Sequence, residues 1–325
     1  MPLFSRRLFS PGAAVSSKVD DTQHRAYATL DELMRLRWSA KRLHLRPNRK
    51  VLQQTAGGRL SRFRSRGVDF AEVRQYQPGD DVRTIDWRVT ARRGKPHTKL
   101  FQEERERPVL LVVDQTLSQF FGSRLAFKSV RAAEVAALLA WAALQNGDRL
   151  GGLVFSDFGS HEHRPTRSDK DTLRFLQLLA AFNKQLRLDQ TRQAPSFDLN
   201  QALTELRRIS KPGSLIFVIS DFQDMNDDTW RHLHLLARHN DIVAIQTHDP
   251  LEADLPPAGL YGISDGQHQL RFDSGNRKLR QGFQQLFEER QQALRQHLNQ
   301  AAISLFQVST QDQPLDVLVR AFGKK

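Results

Sequence analysis

Two unbroken apolar runs dominate the hydrophobic pattern of this chain. They lie at positions 109–113 and 215–219, and each is followed by a carboxylate within two residues, Asp114 after the first and Asp221 after the second. Strands that are buried on both faces show continuous apolar runs, whereas strands with one solvated face alternate apolar and polar residues. The two runs therefore predict strands of a buried parallel sheet.

The rest of the pattern from residue 108 onwards predicts alternating strands and helices. The predicted helices cover 124–146, 168–182, 199–209, 227–239, 278–300 and 315–322, and the further strands cover 150–155, 160–164, 242–247 and 303–308. Residues 259–276 predict a loop or a hairpin. This order is typical of a doubly wound, mainly parallel α/β sheet, which we assign to residues 108–325.

The first 107 residues predict three smaller parts. We expect a flexible tail over 1–21 and an N-terminal helix over 22–45, starting near Thr22, because Leu30, Leu33 and Met34 have helical spacing. Residues 46–107 predict a small β module.

The evidence for the β module is an alternating pattern near its end. Apolar Ile85, Trp87 and Val89 alternate with polar residues, as in a strand with one solvated face, and Pro78 opens a Pro-Gly-Asp-Asp turn signal. The polar side of the module carries charges of both signs, which we interpret as a structural ion-pair network or as a docking surface. These charges are Glu72, Arg74, Asp80, Asp81, Arg83, Asp86 and Arg88.

The strand-end carboxylates are candidates for a metal site. Asp114 is followed by Thr116 and Ser118, so a carboxylate and two hydroxyls recur at two-residue spacing, and Asp221 ends the second run. Ligands of open α/β sheets bind outside the carboxyl ends of the strands, where the strand order reverses. Mg²⁺ prefers such hard oxygen ligands and retains several waters. The alternative is that a strand-end carboxylate simply caps the next helix.

This motif resembles the metal-ion-dependent adhesion site of von Willebrand factor A domains, which reads Asp-x-Ser-x-Ser, then Thr, then Asp. The resemblance implies a von Willebrand factor A-like fold, and Asp114, Thr116, Ser118 and Asp221 as ligands of Mg²⁺. One element departs from the family pattern, because Phe197 stands where the family has Thr. Ser196 is the neighbouring hydroxyl that a shifted loop would offer instead.

A second resemblance is carried by the segment from Gly58 to Arg92, which reads GRLSRFRSRGVDFAEVRQYQPGDDVRTIDWRVTAR. It is similar to the bacterial family called domain of unknown function 58, in which this block precedes a von Willebrand factor A-like domain. The resemblance implies a protein–protein interaction or adaptor role. In this role the protein would act with a MoxR-type AAA+ ATPase in maturing or remodelling a client protein complex. The basic residues that we assign to partner binding are Arg62, Arg64, Arg66, Arg74, Arg83 and Arg88.

The charge distribution leaves a second function open. Residues 1–107 hold 24 Lys and Arg against 12 Asp and Glu, whereas the whole chain has a net charge of +13. Such a basic third fits an acidic protein face, a nucleic acid or an anionic surface. We find no zinc finger or helix-turn-helix signal, which favours the acidic protein partner.

Several sequence features are absent from the chain, and their absence argues against other functional classes. It has no cysteine, which excludes disulfides and thiolate zinc sites and is compatible with a cytoplasmic location. There is no P-loop, so we expect no intrinsic ATP hydrolysis. The apolar helix at 132–144 is too short to cross a bilayer, which requires about 20 residues, so we predict no transmembrane segment. A Mg²⁺-dependent phosphotransferase with Asp114 as nucleophile remains the enzymatic alternative to a non-enzymatic protein.

Overall fold

The structure, a computed structural model, describes most of the chain and divides it into two units. One unit combines Met1–Arg62 with Pro108–Lys325, and the other is Phe63–Arg107. The described residues are 25–45, 70–77, 82, 85–101, 107–187, 197–223, 225–264 and 269–323. The predicted tail over 1–21 lies outside them.

The N-terminal helix of the first unit, α1, is shorter than predicted and spans Leu30–Ser39. Its start is determined by a capping box, in which the Thr29 side chain accepts a hydrogen bond from the Glu32 amide and the Glu32 carboxylate accepts one from the Thr29 amide. Residues 25–29 are not helical, and Arg25 forms a parallel bridge with Ala126. The prediction of a helix from Thr22 was therefore wrong at its N-terminal end.

Two strands and an α-helix lie in the described residues of the second unit. Strands β1 (Phe70–Gln75) and β2 (His97–Phe101) pair antiparallel, and helix α2 (Trp87–Arg93) lies between them in sequence. The strand-like alternation predicted up to Val89 was wrong, because Asp86 caps a helix there through hydrogen bonds from the amides of Arg88 and Val89.

A six-stranded sheet is the centre of the first unit. Its order is β10-β7-β6-β3-β4-β5, and every neighbouring pair is parallel except β4 with β5. The strands are β3 (Pro108–Asp114), β4 (Arg149–Ser156), β5 (Gly159–Thr166), β6 (Leu215–Ser220), β7 (Asp241–His248) and β10 (Ser304–Ser309). The strand order reverses between β3 and β6, which is where such sheets bind ligands.

Helices cover both faces of this sheet. The helices that follow α2 are α3 (Lys128–Gln145), α4 (Asp169–Gln185), α5 (Leu199–Ile209), α6 (Asp227–Ala237), α7 (Pro250–Ala253), α8 (Arg277–Gln300) and α9 (Pro314–Phe322). One core joins α1, α3, α4 and α9 to alternate residues of the strands, and the other joins α5, α6 and the end of α8 to the remaining ones. Both faces of each central strand are therefore apolar.

Helix α3 is buried on all sides from Lys128 to Ala143. Most of its residues are apolar, and seven of the buried ones are alanines, as expected for a helix with no solvated face. Helices α1, α4 and α9 pack around it, and the Trp141 indole donates a hydrogen bond to the carbonyl of Leu33 at 3.0 Å. The charged residues near its N-terminus therefore require partners inside the protein.

The segment predicted as a loop or hairpin contains the antiparallel pair β8 (Leu260–Ser264) and β9 (Gln269–Asp273). The prediction of a doubly wound, mainly parallel α/β sheet is confirmed. No helix in the described parts of the chain combines the length and the apolar character needed to span a membrane.

Candidate functional site

The predicted strand-end site lies at the reversal of strand order. Asp114 is the last residue of β3, and Asp221 follows the last residue of β6, which pairs with β3. The parallel register brings the two carboxylates together, although they are 107 positions apart in sequence. This is the edge of the sheet at which doubly wound folds bind ligands.

Asp114 is held by three hydrogen bonds. Its Oδ1 accepts from the amide of Thr116 at 2.9 Å and from the hydroxyl of Thr116 at 2.7 Å, and its Oδ2 accepts from the hydroxyl of Ser220 at 2.6 Å. The hydroxyls of Thr116 and Ser118 lie 3.0 Å apart. The three residues of the Asp-x-Thr-x-Ser motif thus present their oxygen atoms on one side of the strand end.

These oxygens line a small pocket with a volume of about 20 Å³. That volume holds one water molecule or one small ion. All four predicted ligand residues line it, together with residues from the end of β4, from the end of β6 and the segment after it, and from the start of α5. The lining residues are Asp114, Thr116, Ser118, Phe155, Asp198, Leu199, Ser220, Asp221, Phe222 and Gln223.

The segment before α5 contributes no hydroxyl in the described chain. Phe197 packs its ring against Phe155, with the ring centroids 6.1 Å apart, and it is absent from the pocket lining. Ser196 lies outside the described residues. Asp198 does line the pocket, but its side chain caps α5 by accepting a hydrogen bond from the Gln201 amide. Ser220, in contrast, supplies a hydroxyl that the motif did not predict.

A buried lysine beside this pocket was missed by sequence reasoning. Lys128, the first residue of α3, is fully buried, and its Nζ lies 2.9 Å from Asp221 Oδ2 and 2.6 Å from Glu252 Oε1. A cation at a helix N-terminus is unfavourable for the helix dipole, so these carboxylates are what stabilise it there. The available signal was a charged residue at the start of an otherwise apolar helix.

The electrostatics of the cluster follow from burial and from an excess of carboxylates. Burial, and then the nearby carboxylate of Asp221, raise the pKa of Asp114 to about 7, although hydrogen bonds from Ser220 and Thr116 act in the opposite direction. Burial also raises the pKa of Glu252 despite the attraction of Lys128. Burial alone would lower the pKa of Lys128, but its two carboxylate partners raise it above the ordinary value.

The donor set fits a hard cation in chemical type. Two aspartates and the hydroxyls of Thr116, Ser118 and Ser220 surround a space of ionic size, and Mg²⁺ selects such oxygen atoms. Burial is the largest cause of the raised pKa of Asp114 and the nearby Asp221 carboxylate is the second, and a bound cation would offset the repulsion between the two carboxylates. In the described part of the chain no three His, Cys, Asp or Glu residues are grouped as metal ligands, so the hydroxyls and water would complete the shell.

The predicted partner-binding arginines lie in the N-terminal part of the chain. Arg62, Arg64, Arg66 and Arg83 lie outside the described residues, whereas Arg74 lies in β1 and Arg88 in α2. Arg88 is exposed. Of the predicted ion-pair network, Asp80 and Asp81 also lie outside the described residues, and Asp86 acts as the α2 cap.

The fold and the strand-end motif define the class of this protein. A doubly wound sheet whose first strand ends in Asp114-Gln-Thr-Leu-Ser118, opposite Asp221, is a von Willebrand factor A-like α/β domain. A family model described as "Protein of unknown function DUF58" matches residues 72–293, which is more than half of the chain. The chain belongs to this family, as the signature segment predicted.

Relatives in mycobacteria and Bacillus agree with this membership. The chain is 32% identical over 216 residues to the uncharacterized proteins Mb1516 of Mycobacterium bovis and Rv1480 of Mycobacterium tuberculosis. These alignments cover 65% of this chain and 64% of each relative. A 51-residue segment is 41% identical to the uncharacterized protein YeaD of Bacillus subtilis, covering 16% of this chain and 13% of YeaD. The relatives indicate no enzymatic function.

Solved structures that are similar to this chain include those of three bacterial proteins with low sequence identity. BatB from Bacteroides thetaiotaomicron is 15% identical with a TM-score of 0.36, covering 60% of this chain and 98% of BatB. An aerotolerance-related membrane protein from Bacteroides fragilis is 13% identical with a TM-score of 0.41, covering 66% and 96% of the two chains. A von Willebrand factor type A protein from Catenulispora acidiphila is 13% identical with a TM-score of 0.30, covering 45% and 34%.

Proposed function

We propose that this protein is a non-enzymatic adaptor that binds an acidic side chain of a partner protein at the strand-end pocket, with Mg²⁺ as cofactor. The observation that supports this most is the pocket itself. It gathers Asp114, Asp221 and three hydroxyls at the reversal of strand order, in a space the size of one ion. A site built from oxygen ligands with little room for a substrate is suited to binding rather than to catalysis.

The residues have separate roles in this proposal. Asp114, Thr116 and Ser118 hold the cation, and Ser220 orients Asp114 by donating a hydrogen bond at 2.6 Å. Asp221 is already ion-paired with Lys128, so it would contribute less negative charge to a cation than an unpaired carboxylate would. A bound Mg²⁺ would supply a coordination position for a carboxylate from the partner.

The partner that we propose is a MoxR-type AAA+ ATPase, acting with this protein on a client complex in the cytoplasm. This follows from the family resemblance and from the basic N-terminal third, which offers a second contact to an acidic surface. Arg88 and the other predicted partner-binding arginines belong to that contact. Steering by opposite charges would speed association most at low salt.

The phosphotransferase alternative receives less support. A lysine does lie near the strand-end carboxylates, but Lys128 is fully buried, is paired with two acids, and does not line the pocket. Both oxygens of Asp114 are also engaged in hydrogen bonds, which disfavours nucleophilic attack. A phosphate-release assay with wild type and Asp114→Asn measures this activity directly.

Mg²⁺ binding is tested by titrating the purified full chain with Mg²⁺. Calorimetry measures the binding, and thermal unfolding measures its effect on stability. We expect Mg²⁺ to raise the Tm of the wild type and to have no such effect on Asp114→Asn, which keeps the size of the side chain. Asp31→Asn is the matched control, because Asp31 is an exposed acid of α1. If Mg²⁺ stabilises Asp114→Asn as much as the wild type, the pocket is not the metal site.

The partner step is tested by pull-down from native lysate with Mg²⁺ or with EDTA, using the same variants. Recovery of an AAA+ ATPase by wild type and Asp31→Asn only with Mg²⁺, and not by Asp114→Asn, supports the whole proposal. Equal recovery by all three proteins under both conditions retains the partner and refutes the metal mechanism. Recovery of nucleic acid without the ATPase supports the nucleic-acid alternative.

A further inference from the structure

The second unit exposes one face of helix α2 that combines an aromatic ring with positive charge. Helical geometry of about 100° per residue places four side chains within about 140° of the helix circumference. We call this group the α2 face, and it consists of Trp87, Arg88, Ala91 and Arg92. Trp87 is 69% exposed, and the other three are exposed as well. The α2 face therefore combines a large exposed apolar ring with two positive charges.

The opposite side of α2 is the side that holds the helix in place. The Thr90 hydroxyl accepts a hydrogen bond from the His97 amide at 3.0 Å, and Val89 is half-buried. Gly94, in the left-handed conformation with φ of 67°, ends the helix. The α2 face is therefore presented by a capped and anchored helix, which lowers the entropic cost of binding.

The charges of the α2 face have no partner within the described chain. No described residue forms an ion pair with the guanidinium of Arg88 or of Arg92, and the adjacent Asp86 is used as the helix cap. The α2 face thus offers unpaired positive charge beside the exposed aromatic ring of Trp87.

We propose that the α2 face binds an acidic protein segment that carries apolar side chains between its carboxylates. Trp and Arg are the residues that most often dominate protein–protein binding energy. Arginine pairs with carboxylates through its planar fork, and the Trp87 ring offers a surface for an apolar side chain. A single-stranded nucleic acid would stack successive bases on several aromatic rings, whereas the α2 face has one ring, so the protein segment is favoured.

This inference rests on the second, basic contact of the proposed function, but it does not depend on the strand-end pocket. All residues of the α2 face lie in the second unit, and none is a predicted metal ligand. Binding at the α2 face should therefore be independent of Mg²⁺ and unchanged in Asp114→Asn. Loss of peptide binding in the α2 variants thus tests this inference, whereas loss of Mg²⁺-dependent binding in Asp114→Asn tests the metal-dependent adaptor function.

The test is fluorescence anisotropy at 150 mM salt with the full chain and a fluorescein-labelled 15-mer that repeats Glu-Glu-Leu. Comparison probes are polyglutamate of the same length and a single-stranded 20-mer oligonucleotide. The variants are Trp87→Ala and Arg88→Glu/Arg92→Glu. Their matched controls are Trp38→Ala, a tryptophan of α1 that is 71% exposed with the Lys41 ammonium 4.2 Å from its ring centroid, and Arg208→Glu/Lys211→Glu at exposed positions.

We expect Trp87→Ala to weaken binding of the Glu-Glu-Leu peptide at least tenfold and the double charge reversal to abolish it. Both controls should stay within twofold of wild type, and polyglutamate should bind at least tenfold more weakly than the leucine-containing peptide. The inference is overturned if wild type does not bind the peptide, or if the controls lose as much affinity as the α2 variants. It is equally overturned if the oligonucleotide binds more tightly and depends on Trp87. Circular dichroism verifies that each variant is folded.

Discussion

Replacing Lys128 by methionine should cost several kcal/mol, because the ammonium of Lys128 neutralises two buried carboxylates. Its Nζ lies 2.9 Å from Asp221 and 2.6 Å from Glu252, and the lysine has no exposed surface. Methionine fills a similar volume but leaves both acids without their cation. Removing one partner of a buried pair costs about 3–5 kcal/mol, a large part of the roughly 5–15 kcal/mol of a typical domain.

The loss in Lys128→Met should depend on pH, and the sign follows from linkage. In the wild type the pKa of Lys128 is raised in the folded state, so its stabilisation is fully present below the ordinary lysine pKa and is lost only at high pH. In the variant, the pKa of Glu252, which burial already raises, also loses the lowering effect of Lys128 and therefore rises further above its unfolded value. The folded variant then takes up protons as the pH falls, so its deficit should be smaller at pH 5.5 than at pH 8.

The assay is urea unfolding followed by far-UV circular dichroism, at pH 5.5 and at pH 8. Lys170→Met is the control, because Lys170 is an exposed residue at the start of α4, and we expect a change below about 0.5 kcal/mol. The combined variant Lys128→Met/Asp221→Asn/Glu252→Gln should recover most of the stability, since none of these three side chains then carries a buried charge. A loss below about 1 kcal/mol for Lys128→Met at both pH values would refute this account of the buried charges.

Three further predictions concern two backbone positions and one buried histidine. Phe222 follows Asp221 with a φ of 54°, so Phe222→Ala, which keeps this strain, should be less stable than Phe222→Gly by about 1 kcal/mol in urea unfolding, and equal stabilities would contradict the strain. Gly152 has a φ of 147°, and a Cβ there would lie 2.0 Å from the carbonyl oxygen of Leu111, so Gly152→Ala should lose at least about 3 kcal/mol or fail to fold, whereas Gly262→Ala, with open space around it, is the control. Burial lowers the pKa of His248, so the folded state resists its protonation and stability falls as the pH drops below the ordinary histidine pKa. His248→Gln should therefore lose less stability than the wild type between pH 7.5 and pH 5.5, and identical pH profiles would count against this.

The sheet and its strand-end carboxylates were predictable from sequence because their signals are local. The residues of β3 and β6 are buried on both faces, which requires continuous apolar runs, and each run leads to an acid at the carboxyl end. Once the alternation of strands and helices indicates a doubly wound sheet, the ends of these strands are expected at one edge. This is why Asp114, Thr116, Ser118 and Asp221 could be grouped before any coordinates.

Other features were decided only by the tertiary structure. The alternation around Trp87 is too short to distinguish a strand from a helix, and the Asp86 cap determined the outcome. The two carboxylate partners of Lys128 are 93 and 124 positions away in sequence, so no local pattern could assign them. A charged residue in sequence is expected at the surface. Only the packing of α1, α4 and α9 around α3 reveals that this one is buried and must be neutralised by acids from distant segments.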